Sequence, residues 1–100
     1  MPYKVQITPL YEQKLDNIIS YLIQEFSLQY CDKYLTYLEK QIEALETFPY
    51  IGIETNDPNL RGCRILISKQ NYILYYINEE KQTITLRYIT SANENYLNLK

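Results

Sequence analysis

One hundred residues with no histidine, two cysteines and a net charge of −2 bound a single domain with one core, large enough to fold without staples. They exclude a disulfide scaffold and a Cys/His metal centre, so no metal and no cofactor are expected, and a pI of about 5.1 argues against a general attraction to nucleic acid. The longest purely apolar run, Tyr72–Ile77, is far short of a membrane span, and Lys4 and Gln6 interrupt the only apolar stretch near the amino end, so the expectation is a cytoplasmic protein with reduced, partly buried Cys31 and Cys63.

The alternation in Tyr3-Lys4-Val5-Gln6-Ile7 predicts a half-buried first strand with Tyr3, Val5 and Ile7 inward. Thr8-Pro9 then starts a helix: threonine is a good N-cap, and proline suits the first helical position, where its missing N–H costs nothing. Leu15, Ile18, Ile19, Leu22, Ile23 and Phe26 recur at helical spacing and carry that helix to about Phe26. Ser27 caps a second helix whose apolar stripe is Cys31, Tyr34/Leu35, Leu38, Ile42 and Leu45, and Pro49 ends it near Thr47 or Phe48. With almost no connector, the two helices form an αα-hairpin. Residues 49–60 read as an irregular crossing.

Arg61 to Ile89 reads as a meander of three strands. Its runs are Cys63–Ile67, Tyr72–Ile77 and Thr83–Ile89, bounded by polar turn formers. A period of two puts Ile84, Leu86 and Tyr88 on one face, against Thr83, Thr85 and Arg87. Cys63, Ile65 and Ile67 oppose Arg64 and Leu66, and the middle run is apolar on both faces, as a central strand is. The helical hairpin should cover one face of the sheet. Arg64 and Arg87 are expected together on the other, as the working surface. Arg61 has the opposite parity to Arg64 unless Gly62 marks a bulge. Lys69 falls in a turn, and Tyr75, Tyr76 and Tyr88 read as packing residues rather than base-stacking platforms. Thr90-Ser91-Ala92 is expected to cap a short final helix carrying Tyr96. The order is β-α-α-β-β-β, the class α+β, with an antiparallel sheet and the helical hairpin on one face.

Charge is divided along the chain. Residues 9–59 hold three lysines and nine acids, a net of −6, while residues 60–90 hold five basic residues and two acids, a net of +3. The sheet half can meet an anionic partner; the helical half repels one.

That order, with these residues, resembles the RelE/ParE superfamily of toxins from bacterial type II toxin–antitoxin systems. The marks are Phe48-Pro49-x-x-Gly52, Leu60-Arg61-Gly62-x-Arg64, Tyr72-Ile73-Leu74-Tyr75 and Ile84-x-Leu86-Arg87-Tyr88-Ile89. The resemblance covers nearly the whole chain and implies a small toxin masked by a cognate antitoxin. Target- or antitoxin-binding roles are expected for Arg61, Arg64, Lys69, Arg87 and Tyr96, of which Arg61, Arg64 and Arg87 stand within the matching marks. Two function classes follow. One is a toxin that acts by binding an intracellular target, DNA gyrase in the ParE-like branch. The other is a ribosome-dependent mRNA endonuclease using Arg61, Arg64, Arg87 and Tyr88, with the ribosome and its mRNA as partners. A third reading keeps antitoxin binding alone. The mRNA-cleaving members carry a third-strand arginine where this chain has Tyr72, and a terminal proton-transferring residue where it has Ile89 or Thr90. RNA cleavage by 2′-OH attack needs a base, an acid and a charge stabiliser, and that set is incomplete, so the chain reads closer to the ParE-like branch.

Overall fold

The computed structural model describes residues 3–55, 58, 62–68 and 71–91. Strand β1 (Lys4–Ile7) leads into helix α1 (Pro9–Glu25) and helix α2 (Leu28–Thr47). A 3-10 turn (Pro49–Ile51) and strands β2 (Ile53–Glu54), β3 (Cys63–Ile67), β4 (Asn71–Asn78) and β5 (Thr83–Ser91) follow. The helix starts are those the sequence specifies. Thr8 accepts the Tyr11 N–H at 3.1 Å and Ser27 accepts the Tyr30 N–H at 3.0 Å, each relieving one of the orphan donors of a first turn.

The five strands lie in the order β1-β5-β4-β3-β2. β2 to β5 form an antiparallel meander, whereas β1 pairs with β5 in parallel from Lys4↔Thr83 to Ile7↔Leu86, so the sheet is mixed rather than purely antiparallel. The α+β class and the β-α-α-β-β-β order stand, with one strand added. The crossing expected to be irregular contains the 3-10 turn and the two-residue edge strand β2, too short for any alternation to reveal.

The main core lies between the helices and one sheet face. Tyr11, Ile18 and Leu22 from α1 and Cys31, Tyr34, Leu38 and Leu45 from α2 pack on Ile73, Tyr75, Ile84, Leu86 and Ile89. A fully buried side chain of this kind contributes about 1.5–3 kcal/mol of hydrophobic stabilisation. The stripes differ from expectation at their ends. Ile23 and Phe26 are exposed, because they lie at the far tip of the hairpin, and Tyr11 is buried instead. Ile7 shares the parity of Tyr3 and Val5, but at the outer edge it stays 49% exposed.

The largest departure from simple alternation is in β5. Leu74 pairs with Tyr88 while Tyr75 pairs with Leu86, so Arg87 is an extra residue in a β-bulge. The bulge reverses the parity. Leu86 and Ile89 both enter the main core, and Tyr88 crosses to the opposite face, against Cys63, Ile65 and Leu74. Tyr88 therefore does not share a face with Ile84 and Leu86 as alternation predicts. β5 also continues through Thr90 to Ser91, so these two residues extend a strand rather than cap a helix; the rest of that expected helix, with Tyr96, lies outside the described residues.

Among the described residues, Tyr11, Tyr34 and Tyr75 carry hydroxyls into the main core. Tyr34 accepts from Asn71 Nδ2 at 3.1 Å, and Tyr75 makes two hydrogen bonds described below, but Tyr11 Oη has no partner among the described residues. Burial pushes the pKa of all three upward, with the Asn71 donor partly opposing it at Tyr34. Because the folded state holds these protons more tightly than the unfolded chain, their contribution is complete below the ordinary tyrosine pKa of about 10 and is lost as pH rises beyond it. Circular dichroism during alkaline titration should show unfolding that begins near pH 10. Tyr11→Phe should move that midpoint upward without loss of stability at neutral pH, whereas Tyr34→Phe, which strands the Asn71 amide, should cost about 1–3 kcal/mol.

Candidate functional site

Two arginines that alternation places side by side are on opposite faces of the sheet. Arg64 pairs across the ladder with Tyr75, on the helix side, and Cys63 pairs with Tyr76, on the open side. The expected arginine pair is thus not formed. Parity within β3 is as predicted, but it is Cys63 and Ile65 that face the open side and Arg64 that faces the helices.

Each of the three guanidinium nitrogens of Arg64 is engaged there. Its Nε donates to the Gly52 carbonyl at 3.0 Å, Nη2 to the Tyr50 carbonyl at 3.2 Å, and Nη1 to Glu54 Oε1 at 3.3 Å, while the guanidinium lies 5.2 Å from the Tyr50 ring centroid. Beside it, the buried Tyr75 hydroxyl accepts the Gly52 N–H at 2.9 Å and donates to the Pro49 carbonyl at 2.7 Å. Burial raises the Tyr75 pKa, and the Gly52 N–H and the Arg64 charge partly oppose the rise. A Cβ on Gly52 would lie 2.5 Å from Tyr75 Oη and 2.9 Å from the Ile65 carbonyl, so only glycine admits this approach. Pro49, Gly52, Arg64 and Tyr75, drawn from three of the sequence marks, form one clasp that binds the 3-10 turn and β2 to the sheet. Glu79 extends it by accepting the hydroxyls of Tyr3 and Tyr50.

The open face carries the candidate site. Thr8, Gly62, Cys63, Tyr76 and Arg87 line a wide depression of about 530 Å³. Gly62 adopts φ +83° in the turn before β3, so its left-handed backbone shapes the rim rather than bulging the strand. The Arg87 guanidinium lies 5.7 Å from the Tyr76 ring centroid, and its Nη1 is 3.5 Å from Cys63 Sγ. Among the described residues no carboxylate pairs with it. Its donors are held over an aromatic face with one edge open, a geometry suited to a planar anionic group. Tyr88 and Tyr72 pack alongside, and Lys14 reaches from α1 to 5.2 Å from the Tyr88 ring.

Of the residues expected at the site, Arg87 and Tyr88 are brought together, Arg64 is not, and Arg61, Lys69 and Tyr96 lie outside the described residues. Tyr75 packs in the core as expected, while Tyr76 is 37% exposed and belongs to the site. The sequence presents Thr8, Cys63 and Tyr76 as a helix cap, a reduced cysteine and a packing residue rather than as site residues. Nothing in it marks Lys14, and the others become visible as site residues only once helix packing fixes which face is open.

A family model described as the ParE toxin of the type II toxin–antitoxin system parDE matches residues 5–96. Among solved structures, the chain is similar to one of the chromosomal ParDE toxin–antitoxin system of P. aeruginosa, with a TM-score of 0.69, 15% identity, and 89% of this chain and 95% of that one covered. It is also similar to one of the RelBE2 toxin–antitoxin complex of Mycobacterium tuberculosis, with a TM-score of 0.64, 19% identity, and 91% and 99% covered. The isolated E. coli RelE toxin gives 0.57, at 12% identity over 97% of this chain and 92% of that one. At these identities the structures share the fold. No curated protein matches the sequence significantly.

Thermal unfolding distinguishes the clasp from the open site. Gly52→Ala and Arg64→Lys should each destabilise by about 1–3 kcal/mol, the first by overpacking and the second by stranding backbone carbonyls, lowering Tm by several degrees. Arg87→Ala should leave Tm within about two degrees, as a surface change does.

Proposed function

The chain belongs to the ParE toxin family of type II toxin–antitoxin systems, and on that premise we propose that it arrests bacterial growth by binding DNA gyrase in the cytoplasm, with a cognate antitoxin holding it inactive. The observation that carries this reading is the Arg87 depression. It offers a guanidinium that no carboxylate pairs among the described residues, an aromatic wall and small side chains, which suit capture of an acidic group on a protein surface. Among the described residues its lining supplies no carboxylate to move a proton, and the sequence holds no histidine. A divided surface also fits: the helical half, at −6, would hold an extended polyanion away, whereas the open face can admit one acidic side chain.

One observation favours the second reading, a ribosome-dependent mRNA endonuclease. The bulge brings Tyr88 to the same face as Arg87, so a phenol and a charge stabiliser do stand together.

Induction without the antitoxin distinguishes these. The expected result is growth arrest with intact messages, and inhibition of supercoiling when the purified chain is added to gyrase. Arg87→Ala should weaken that inhibition by about tenfold or more, the loss of a charge-assisted contact. Cleavage of mRNA on translating ribosomes would overturn the proposal in favour of the nuclease, and folded protein without any growth phenotype would leave antitoxin binding as the sole activity.

A further inference from the structure

Thr8 stands where three elements meet: the end of β1, the start of α1 and the bulge of β5. Its hydroxyl oxygen accepts the Tyr11 N–H at 3.1 Å, and its proton points to the carbonyls of Arg87 at 3.1 Å and Leu86 at 3.3 Å. The Leu86 carbonyl already receives the Thr8 N–H at 3.1 Å. The shorter bond, to the carbonyl of Arg87, is therefore the one the hydroxyl adds. That carbonyl belongs to the extra residue of the bulge, which the register with β4 passes over. The parallel ladder with β1 stops one residue earlier, at Ile7↔Leu86.

Resting on the reading of the open face as the working surface, we infer that Thr8 is a positioning residue. By donating to the Arg87 carbonyl, its hydroxyl holds the β5 bulge that turns Tyr88 to the open face beside Arg87. Plain alternation from Leu86 would send Tyr88 into the helix-side core and Ile89 out to solvent. The bulge instead keeps Ile89 at 1% exposure and leaves Tyr88 beside Leu74 and Cys63. Thr8 also lines the depression itself, so the residue that sets the bulge forms part of the wall in front of the Arg87 guanidinium.

The alternative is that Thr8 merely caps α1, and the molecule contains the control for it. Ser27 caps α2 with the same acceptor geometry, at 3.0 Å from the Tyr30 N–H, far from the open face. The variants to compare are Thr8→Ser, Thr8→Val and Ser27→Ala. The readouts are the nuclear Overhauser contact between the Tyr88 ring and the Leu74 methyls, the melting temperature, and the inducer needed for half-maximal growth arrest. Thr8→Ser should keep all three. Thr8→Val should lose the Tyr88–Leu74 contact and raise the inducer requirement by about tenfold, as loss of one well-placed charged contact does. Ser27→Ala should lower the melting temperature while leaving the contact and the arrest intact. If Thr8→Val does not fold, Thr8→Asp decides on the same contact, because it keeps an acceptor for the Tyr11 N–H but has no proton for the Arg87 carbonyl. An intact Tyr88–Leu74 contact in Thr8→Val, or in Thr8→Asp where that variant is needed, would overturn the inference. So would an equal loss of arrest in Ser27→Ala. If the wild-type chain arrests nothing, the functional reading fails by itself, and the Tyr88–Leu74 contact still decides the role of Thr8.

Discussion

The hydroxyl of Tyr75 is buried beneath the turn that follows the helices, and it bonds that turn twice, accepting from Gly52 and donating to the Pro49 carbonyl. Each bond satisfies a backbone group that water cannot reach, and leaving either unmet costs about 1–3 kcal/mol, a large fraction of the stability of a domain this size. Arg64 closes the same turn from the side, taking the carbonyls of Gly52 and Tyr50. The helical half of the chain is thereby fastened to the sheet half at the point where the sequence passes from one to the other. The proline, glycine, arginine and tyrosine that make the sequence recognisable are thus explained by architecture before function enters.

That fastening divides the labour between the two faces. The helix side of the sheet is closed by α1, α2 and the clasp, and Arg64 is engaged there. The open side is left with Arg87 over Tyr76 and with a small second apolar cluster of Cys63, Ile65 and Leu74 flanked by Tyr72 and Tyr88. Arg87 has a ring and a thiol as neighbours and most of its donors to spare, whereas Arg64 has each of its three nitrogens engaged, by two carbonyls and a carboxylate. On this account the two guanidiniums have unlike roles, although the sequence presents them as a pair.

Most of the fold is legible in the sequence because local signals and burial agree. The stripes from Leu15 to Leu22 and from Cys31 to Leu45, the caps Thr8 and Ser27, and the strand runs all specify what is observed. The failures have separate causes. Alternation carries a face assignment forward only while every residue pairs, and the bulge at Arg87 breaks that count without a glycine or proline to announce it, so alternation puts Tyr88 on the wrong side. Arg64 shows the complementary limit: its parity was right, but which face the helices cover is a tertiary fact, settled by the helix-side packing of Leu66, Ile73 and Tyr75. β2 is held by Ile53↔Ile65 and Glu54↔Arg64, a pairing decided by the clasp rather than by any propensity of two residues.

The central claim is that Arg64 is a structural donor and Arg87 an available one. The most direct measurement is solvent exchange of the arginine Nε protons in the free protein, resolved by nitrogen-15 spectroscopy, with Arg64 and Arg87 assigned by substitution. The account predicts a slowly exchanging Arg64 Nε–H, bonded to the Gly52 carbonyl, and an Arg87 Nε–H that exchanges as freely as an exposed side chain. A protected Arg87 together with a freely exchanging Arg64 would contradict it.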